Sequence, residues 1–559
     1  MVDLEGLDAT DWKQLEARYT QFLERELPDA AALEAWLLEM SDLDAYVSET
    51  AANLYIAMTC DTEDAEIKQA YLDFVEQIEP ELAKMGDALN RKLAAHPAAD
   101  DLPPYYQILL RETRMDVSLF REENIPLGTE LAKLSQRYEE ICGAMTVEFE
   151  GEERTLQQMA KFLQVTDRDV RERAWRAITA RRAQDAEEID TLFEKQISLR
   201  HQVALNAGYA NHRDYIFDAK HRFDYTPAHC EAFHDAAEQV CVPLMRQLDA
   251  EREALLKVDK LRPWDLAVDV HGRDPLRPFE KVEEMVAGSS RMFHRMSAEL
   301  GEFFDRMRDG TSLDLDSRKG KAPGGYQYNR AYSRKPFIFM NATGLQRNLE
   351  TMVHEAGHAF HSYYADAQPL LDYRSAPMEF SEVASMSMEL LCHPFLDEFY
   401  DEANADRARR SHLEGIVSIL PWVATIDAFQ HWIYTHPEHT RAERHAYWNT
   451  LIDRFGSAVE WEGLEHLRDI GWQRQLHLFS YPFYYIEYGI AQLGALQYWL
   501  QYRRDEETAL ANYATAMKLG GAASLPDLFE AGGLTFDFGP TTVRDLIDEV
   551  RSVLAELPA

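Results

Sequence analysis

Two histidines four residues apart, with a glutamate directly after the first, stand in TMVHEAGHAFHS from Thr351 to Ser362. In this H-E-x-x-H pattern His354 and His358 fall on one face of a helix and can share a metal ion, with Glu355 beside them. The chemistry the spacing suits is zinc-centred activation of water, with a carboxylate at hand to take a proton. On a 100° wheel Leu349, Met352, Val353, Ala356, Ala359 and Phe360 gather on the opposite side. One face of the helix therefore packs while the other presents ligands.

A catalytic zinc ordinarily has three protein ligands and a water, so two imidazoles leave the sphere short. Downstream, SAPMEFSEVASMSMELL offers Glu379, Glu382 and Glu389, and Glu382, Ser385 and Glu389 share a helical face. Spacing alone does not choose among these glutamates. His361 is a further candidate, but a rigid helix carries it a turn beyond His358, which leaves it a rim or structural role. Glu389 can orient a ligand imidazole from behind. Near the C-terminal end, Tyr481, Tyr484, Tyr485 and Tyr488 fall within about one third of a helical wheel, just after His477. Phenol and imidazole donors of this kind suit stabilisation of an oxyanion.

The rest of the chain reads as the scaffold for these groups. From Asp8 to about Ala95 amphipathic helices follow one another, punctuated by Pro28-Asp29 and by Cys60 to Glu63, where Asp or Thr can cap the next helix. Val147 to Thr155 alternates around Gly151 and predicts a β-hairpin. Long helices are expected from Thr166 toward Ala207, with Trp175 in the core, and from Thr226 to Lys257 and Phe279 to Met307. The region from Leu313 to Gly344 is glycine- and aromatic-rich. There Pro336 to Asn341 predicts a buried or edge strand able to pair with an extended backbone, and Gly324-Gly325-Tyr326 a turn or mobile loop. Helices follow over Met378–Leu391, Asp406–Tyr434 with a kink or break at Pro421, Ala442–Phe455, from Pro482 to about Tyr502, and Thr542–Leu557. This pattern predicts a mostly α protein of two helical lobes, with a small β-sheet next to the H-E-x-x-H helix. The expected division is an N-terminal helical lobe over 1–195 and a metal-bearing domain over 196–559, the two interleaved in space.

A formal charge of -39 on 559 residues excludes a phosphate-backbone partner, because nucleic-acid binding needs a basic surface. The five cysteines lack C-x-x-C spacing and fit reduced thiols. The acidic start MVDLEGLDATDW has neither a basic nor an apolar region, and no apolar run approaches the ~20 residues of a membrane span. A cytoplasmic protein without a membrane partner is expected, as a monomer or small homo-oligomer.

HEAGHAFHSYY, followed by MEFSEVASMSMELL, resembles the oligoendopeptidase F branch of the thimet oligopeptidase family of zinc metallopeptidases. PFIFMNATG upstream and HLFSYPFYYIEYGIAQLGALQYW downstream resemble it too, so the likeness runs from roughly Leu261 to the C-terminus. The resemblance implies that Glu382, which opens E-x-x-S with Ser385, joins His354 and His358 as the third ligand to one Zn2+ per chain. It implies Glu355 as general base. It also implies that tyrosines of the later segment and an upstream histidine bind the substrate carbonyl; Tyr481 and Tyr488 fit best, and Tyr485 and His477 are the further candidates. With these comes a deep substrate channel between the lobes that admits short unstructured oligopeptides, whose internal bonds are hydrolysed. The alternatives are a zinc carboxypeptidase or dipeptidyl carboxypeptidase with the same core and a cationic clamp, and a noncatalytic helical peptide-binding protein. Nitrogen and oxygen ligands also accept manganese or cobalt.

Overall fold

The structure, a computed structural model, describes residues 4–318, 320–322 and 324–558, the side chains at 136, 140 and 157 apart. The periodic apolar faces do form helices, and these dominate the chain. Among them α1 (Ala30–Cys60) starts where the Asp29 side chain accepts from the Ala32 amide. The hairpin predicted around Gly151 is present as β1 (Thr146–Phe149) and β2 (Glu152–Thr155), antiparallel. Its two-residue turn has Glu150 and Gly151 at φ 54 and 80, the left-handed pair that such hairpins need.

A second sheet contains β3 (Leu313–Asp316), β4 (Tyr326–Arg330) and β5 (Lys335–Ala342) in the order β3-β5-β4. The strand read from PFIFMN is therefore not an edge. It lies in the middle, parallel to β3 and antiparallel to β4, and its near-continuous burial fits a strand covered on both faces. The edge role falls to β4. One face of β4 meets α1, where the Tyr55 ring lies 5.4 Å from Tyr326 and 5.7 Å from Tyr328.

The H-E-x-x-H helix, α2 (Gln346–Ala365), follows β5 through Gly344 at φ 88. A Cβ at Gly344 would stand 2.9 Å from the Phe279 carbonyl oxygen, so the turn needs glycine twice over. Asn348 closes the turn by accepting from the Thr343 and Leu345 amides at 2.9 and 3.0 Å. Next comes α3 (Met378–Leu391), then α4 (Glu402–Thr435), which runs on through Pro421 rather than breaking there, and later α5 (Tyr485–Arg504).

The chain forms two compact units: Met1–Phe120, Arg277–Ala408 and Ile490–Phe536 make the first, and Arg121–Leu276, Arg409–Gly489 and Asp537–Ala559 the second. The sheet β3-β5-β4 and the helices α1 to α3 belong to the first unit; the β1-β2 hairpin belongs to the second. Position 195 lies within the helix Ala186–Asn206 of the second unit. Among the described residues no helix is long and apolar enough to cross a membrane.

Candidate active site

Helix α2 carries His354, Glu355 and His358, and α3 lays Glu382 and Glu389 against them. The two helices approach closely because Gly357 sits between the histidines. A Cβ there would lie 2.6 Å from Ser385 Cα and 2.8 Å from the Ala384 carbonyl oxygen of α3. Glu382 Oε2 is 3.4 Å from His354 Nε2 and 3.6 Å from His358 Nε2, and the three ligand atoms all lie within 4.8 Å of one another. Zinc bonds of about 2.0–2.2 Å at tetrahedral angles place ligand atoms roughly 3.3–3.6 Å apart, so the cluster fits one such ion.

The surroundings tune these groups. His354 Nδ1 donates to Glu389 Oε1 at 2.6 Å, which fixes the ring and turns Nε2 toward Glu382. Ser385 Oγ donates to Glu382 Oε2 at 3.0 Å. Burial works against a charge on Glu382, but His358, His354 and Ser385 outweigh it and hold the carboxyl at about 2. Burial likewise works against a proton on His354, yet its hydrogen bonds to Glu382 and Glu389 hold its pKa well above the usual range. A cation at the cluster takes the place of that proton. Burial lowers His358 to about 4, the neutral form a ligand needs. Glu355 is only 7% exposed, and burial pushes its carboxyl up to about 7, against the pull of His354. The Gln327 amide of β4 points at the same carboxylate. His361 is buried and burial lowers its pKa to about 3; its Nε2 has no partner among the described residues, and it stands outside the ligand cluster.

The donor segment lies in the second unit, and its local structure differs from the helix expected after Pro482. His477 sits in the short helix Leu476–Ser480, Tyr481 caps that helix, and Phe483 turns the chain at φ 61 before α5 begins at Tyr485. Only Tyr485 and Tyr488 share a helix. The bend persists because distant side chains hold its backbone. Gln430 Oε1 accepts from the Phe483 amide at 2.6 Å, while buried Arg222 donates to the Phe483 carbonyl and, at 2.7 Å, to Glu487. Arg200 donates to the Leu478 carbonyl at 3.0 Å and Gln196 to that of Phe479 at 3.1 Å.

Within this segment the His477 ring lies 4.9 Å from that of Tyr485, 5.6 Å from Tyr484, 5.9 Å from Tyr488 and 6.1 Å from Tyr481. Gln475 accepts from the Tyr485 hydroxyl at 3.3 Å and donates to His477 Nδ1 at 2.8 Å. That orientation of the amide puts the imidazole proton on Nε2. Burial raises the Tyr485 pKa and keeps the phenol a neutral donor. Tyr481 is 54% exposed, the outermost of the four. The structure thus gathers His354, Glu355, His358 and Glu382 in the first unit, and His477, Tyr485 and Tyr488 with Tyr481 at the rim in the second. Sequence reading missed Arg200, Arg222 and Gln430, because each acts through a partner far away in the chain, and Gln475, whose near partners His477 and Tyr485 form no recognisable pattern with it.

An H-E-x-x-H helix joined by a glutamate from the next helix, in a mostly helical fold, defines a metallopeptidase type of site. Known structures agree: one described as "PZ peptidase A with inhibitor 2" superposes with a TM-score of 0.92 at 28% identity, over 99% of each chain. Oligopeptidase PepF of Bacillus subtilis (strain 168) is 25% identical over 303 residues, which is 52% of this chain and 44% of the relative. Group B oligopeptidase PepB of Streptococcus agalactiae serotype III (strain NEM316) is 24% identical over 256 residues, 44% of this chain and 41% of the relative. The matched segments thus span less than half the length of these curated relatives. The model of peptidase family M3 matches residues 161–539, and that of the peptidase M3 N-terminal domain matches 7–120. The chain belongs to peptidase family M3.

Proposed function

We propose that the protein is a zinc-dependent endopeptidase that hydrolyses internal bonds of short, unstructured oligopeptides. The observation that carries this is the ligand cluster: two imidazole nitrogens 3.4 and 3.6 Å from one carboxylate oxygen, with Glu389 fixing one ring from behind. His354, His358 and Glu382 would hold the ion. Bound zinc polarises a carbonyl and brings the pKa of a coordinated water from 15.7 toward about 7. Glu355 takes a proton from the attacking water and passes it to the leaving amine nitrogen. Its burial beside the ligand cluster strengthens both transfers by excluding bulk water.

The reading assigns His477, Tyr481, Tyr485 and Tyr488 the donation of hydrogen bonds to the substrate carbonyl oxygen as charge develops on it. The Nε2 proton on His477 supports that role. Substrate backbone pairs along the outer edge of β4, which the Gln327 amide sets beside Glu355. Main-chain pairing of this kind needs an extended, unfolded partner and reads few side chains. The oligopeptidase names of the relatives support the same substrate class.

A peptide blocked at both ends tests the reading. Products from cleavage at internal bonds, identified by mass, are expected. Cleavage only of peptides with a free C-terminus would replace the endopeptidase by a carboxypeptidase, and no cleavage at all would leave a noncatalytic binder.

A further inference from the structure

The second unit holds a cavity of about 300 Å3, partly open to solvent, that the proposed hydrolysis does not use. Trp175, Trp422, Trp448 and Trp461 line it, so Trp175 is half-buried at a cavity wall rather than sealed in the core. The lining also holds Arg182, Arg468 and Arg474 and no aspartate or glutamate. That is unexpected by charge, since the chain has 97 acidic residues against 58 lysines and arginines.

The fully buried arginines of this unit have acceptors. Arg171 donates to Asp265, Arg200 to Tyr434, Arg222 to Glu487 and Arg444 to Asp190. Arg468 pairs with Asp453. The side chains of Arg182 and Arg474 make no hydrogen bond or ion pair among the described residues, and the Arg474 guanidinium lies over the Trp422 ring at 5.1 Å. The protein atoms around Arg474 and the like charge of Arg182 depress its pKa. Its side chain is exposed and forms part of the cavity lining. Two guanidiniums beside an apolar aromatic wall, one exposed and one half-buried, suit an anion with an apolar body.

The cavity wall is also the back of the donor segment. The Trp422 indole lies close to the Tyr485 hydroxyl, and Arg474 directly precedes Gln475, which bonds both Tyr485 and His477. We propose that this cavity is a binding site for the C-terminal residue of a peptide, its carboxylate held by Arg182 and Arg474 and its apolar or aromatic side chain set among the tryptophans. The proposal rests on the reading of the protein as a peptidase. It adds a selectivity that main-chain pairing cannot supply: peptides with a free carboxylate and a large apolar last residue are favoured over the same peptides as amides.

The test uses the zinc-loaded full chain, with N-acetylphenylalanine and N-acetylphenylalaninamide as probes and tryptophan fluorescence as the signal. The acid is expected to bind at least about tenfold more tightly than the amide, a margin typical of a charge-assisted contact. That ratio is expected to fall toward one in Arg474→Gln and, separately, in Arg182→Gln, each verified by near-ultraviolet circular dichroism and zinc content. In parallel, two internally quenched substrates ending in phenylalanine and in its amide should differ in KM, the acid lower, and the difference should vanish in both variants. Equal affinity of the two probes, or an acid preference that survives both substitutions, would overturn the site. So would normal turnover with no KM difference between the substrates. Absence of turnover with the probe preference intact would instead overturn the peptidase reading and leave the carboxylate site standing.

Discussion

Glu355 and Glu389 serve the same pair of imidazoles in different ways. In the proposed reaction Glu355 handles a proton, so Glu355→Gln is expected to lower kcat by about 10²–10⁴-fold while zinc stays at one per chain. Glu389 only orients His354, through a 2.6 Å hydrogen bond. Glu389→Gln is therefore expected to weaken zinc by about 10–100-fold, measured by competition with a chelator, with a smaller loss of kcat once the protein is reloaded. An unchanged turnover in the first variant, or unchanged zinc affinity in the second, would reverse these roles. H-E-x-x-H was legible because its spacing is local. The third ligand was not, since Glu379, Glu382 and Glu389 stand on one helix and spacing favours none of them. What separates them is tertiary: Glu382 reaches both Nε2 atoms, whereas Glu389 lies on the far nitrogen of His354.

At the scale of elements the site depends on how closely α2 and α3 approach. Gly357→Ala adds a Cβ against backbone atoms of α3 at 2.6 and 2.8 Å, and backbone cannot swing aside as a side chain can. A loss of about 1–3 kcal/mol in unfolding free energy is expected, with weaker zinc binding because Glu382 moves with α3. Unchanged denaturant midpoint and zinc affinity would show that the helices have room to spare. Helix α2, helix α3 and strand β5 could all be read from periodicity. The place of β5 in the middle of its sheet could not, because strand order is set by pairing with residues far away in the chain. The bend at Phe483 was hidden for the same reason: Pro482 suits a helix start, but Gln430 and Arg222 hold the backbone in another shape.

Across the whole molecule the excess negative charge acts at long range. It should raise the encounter rate of basic peptides and lower that of acidic ones, an effect screened by salt. The ratio of kcat/KM for a lysine-rich over a glutamate-rich peptide of equal length is expected to fall several-fold between low salt and about 1 M, where the Debye length is about 3 Å. A ratio independent of salt would mean that selectivity is local. Charge and class were legible from composition and helical pattern. Which stretches make up each unit was not, since each is assembled from three separate stretches of chain and contact between stretches leaves no local signal.

Whether His354, His358 and Glu382 hold the ion on which turnover depends is decided by metal analysis of the purified protein. It is to be paired with cleavage of an internally quenched peptide before chelation, after it and after zinc add-back. One zinc per chain, activity lost with the metal and activity restored with it are expected; protein that carries no stoichiometric metal and cleaves equally well after chelation would contradict the proposed mechanism.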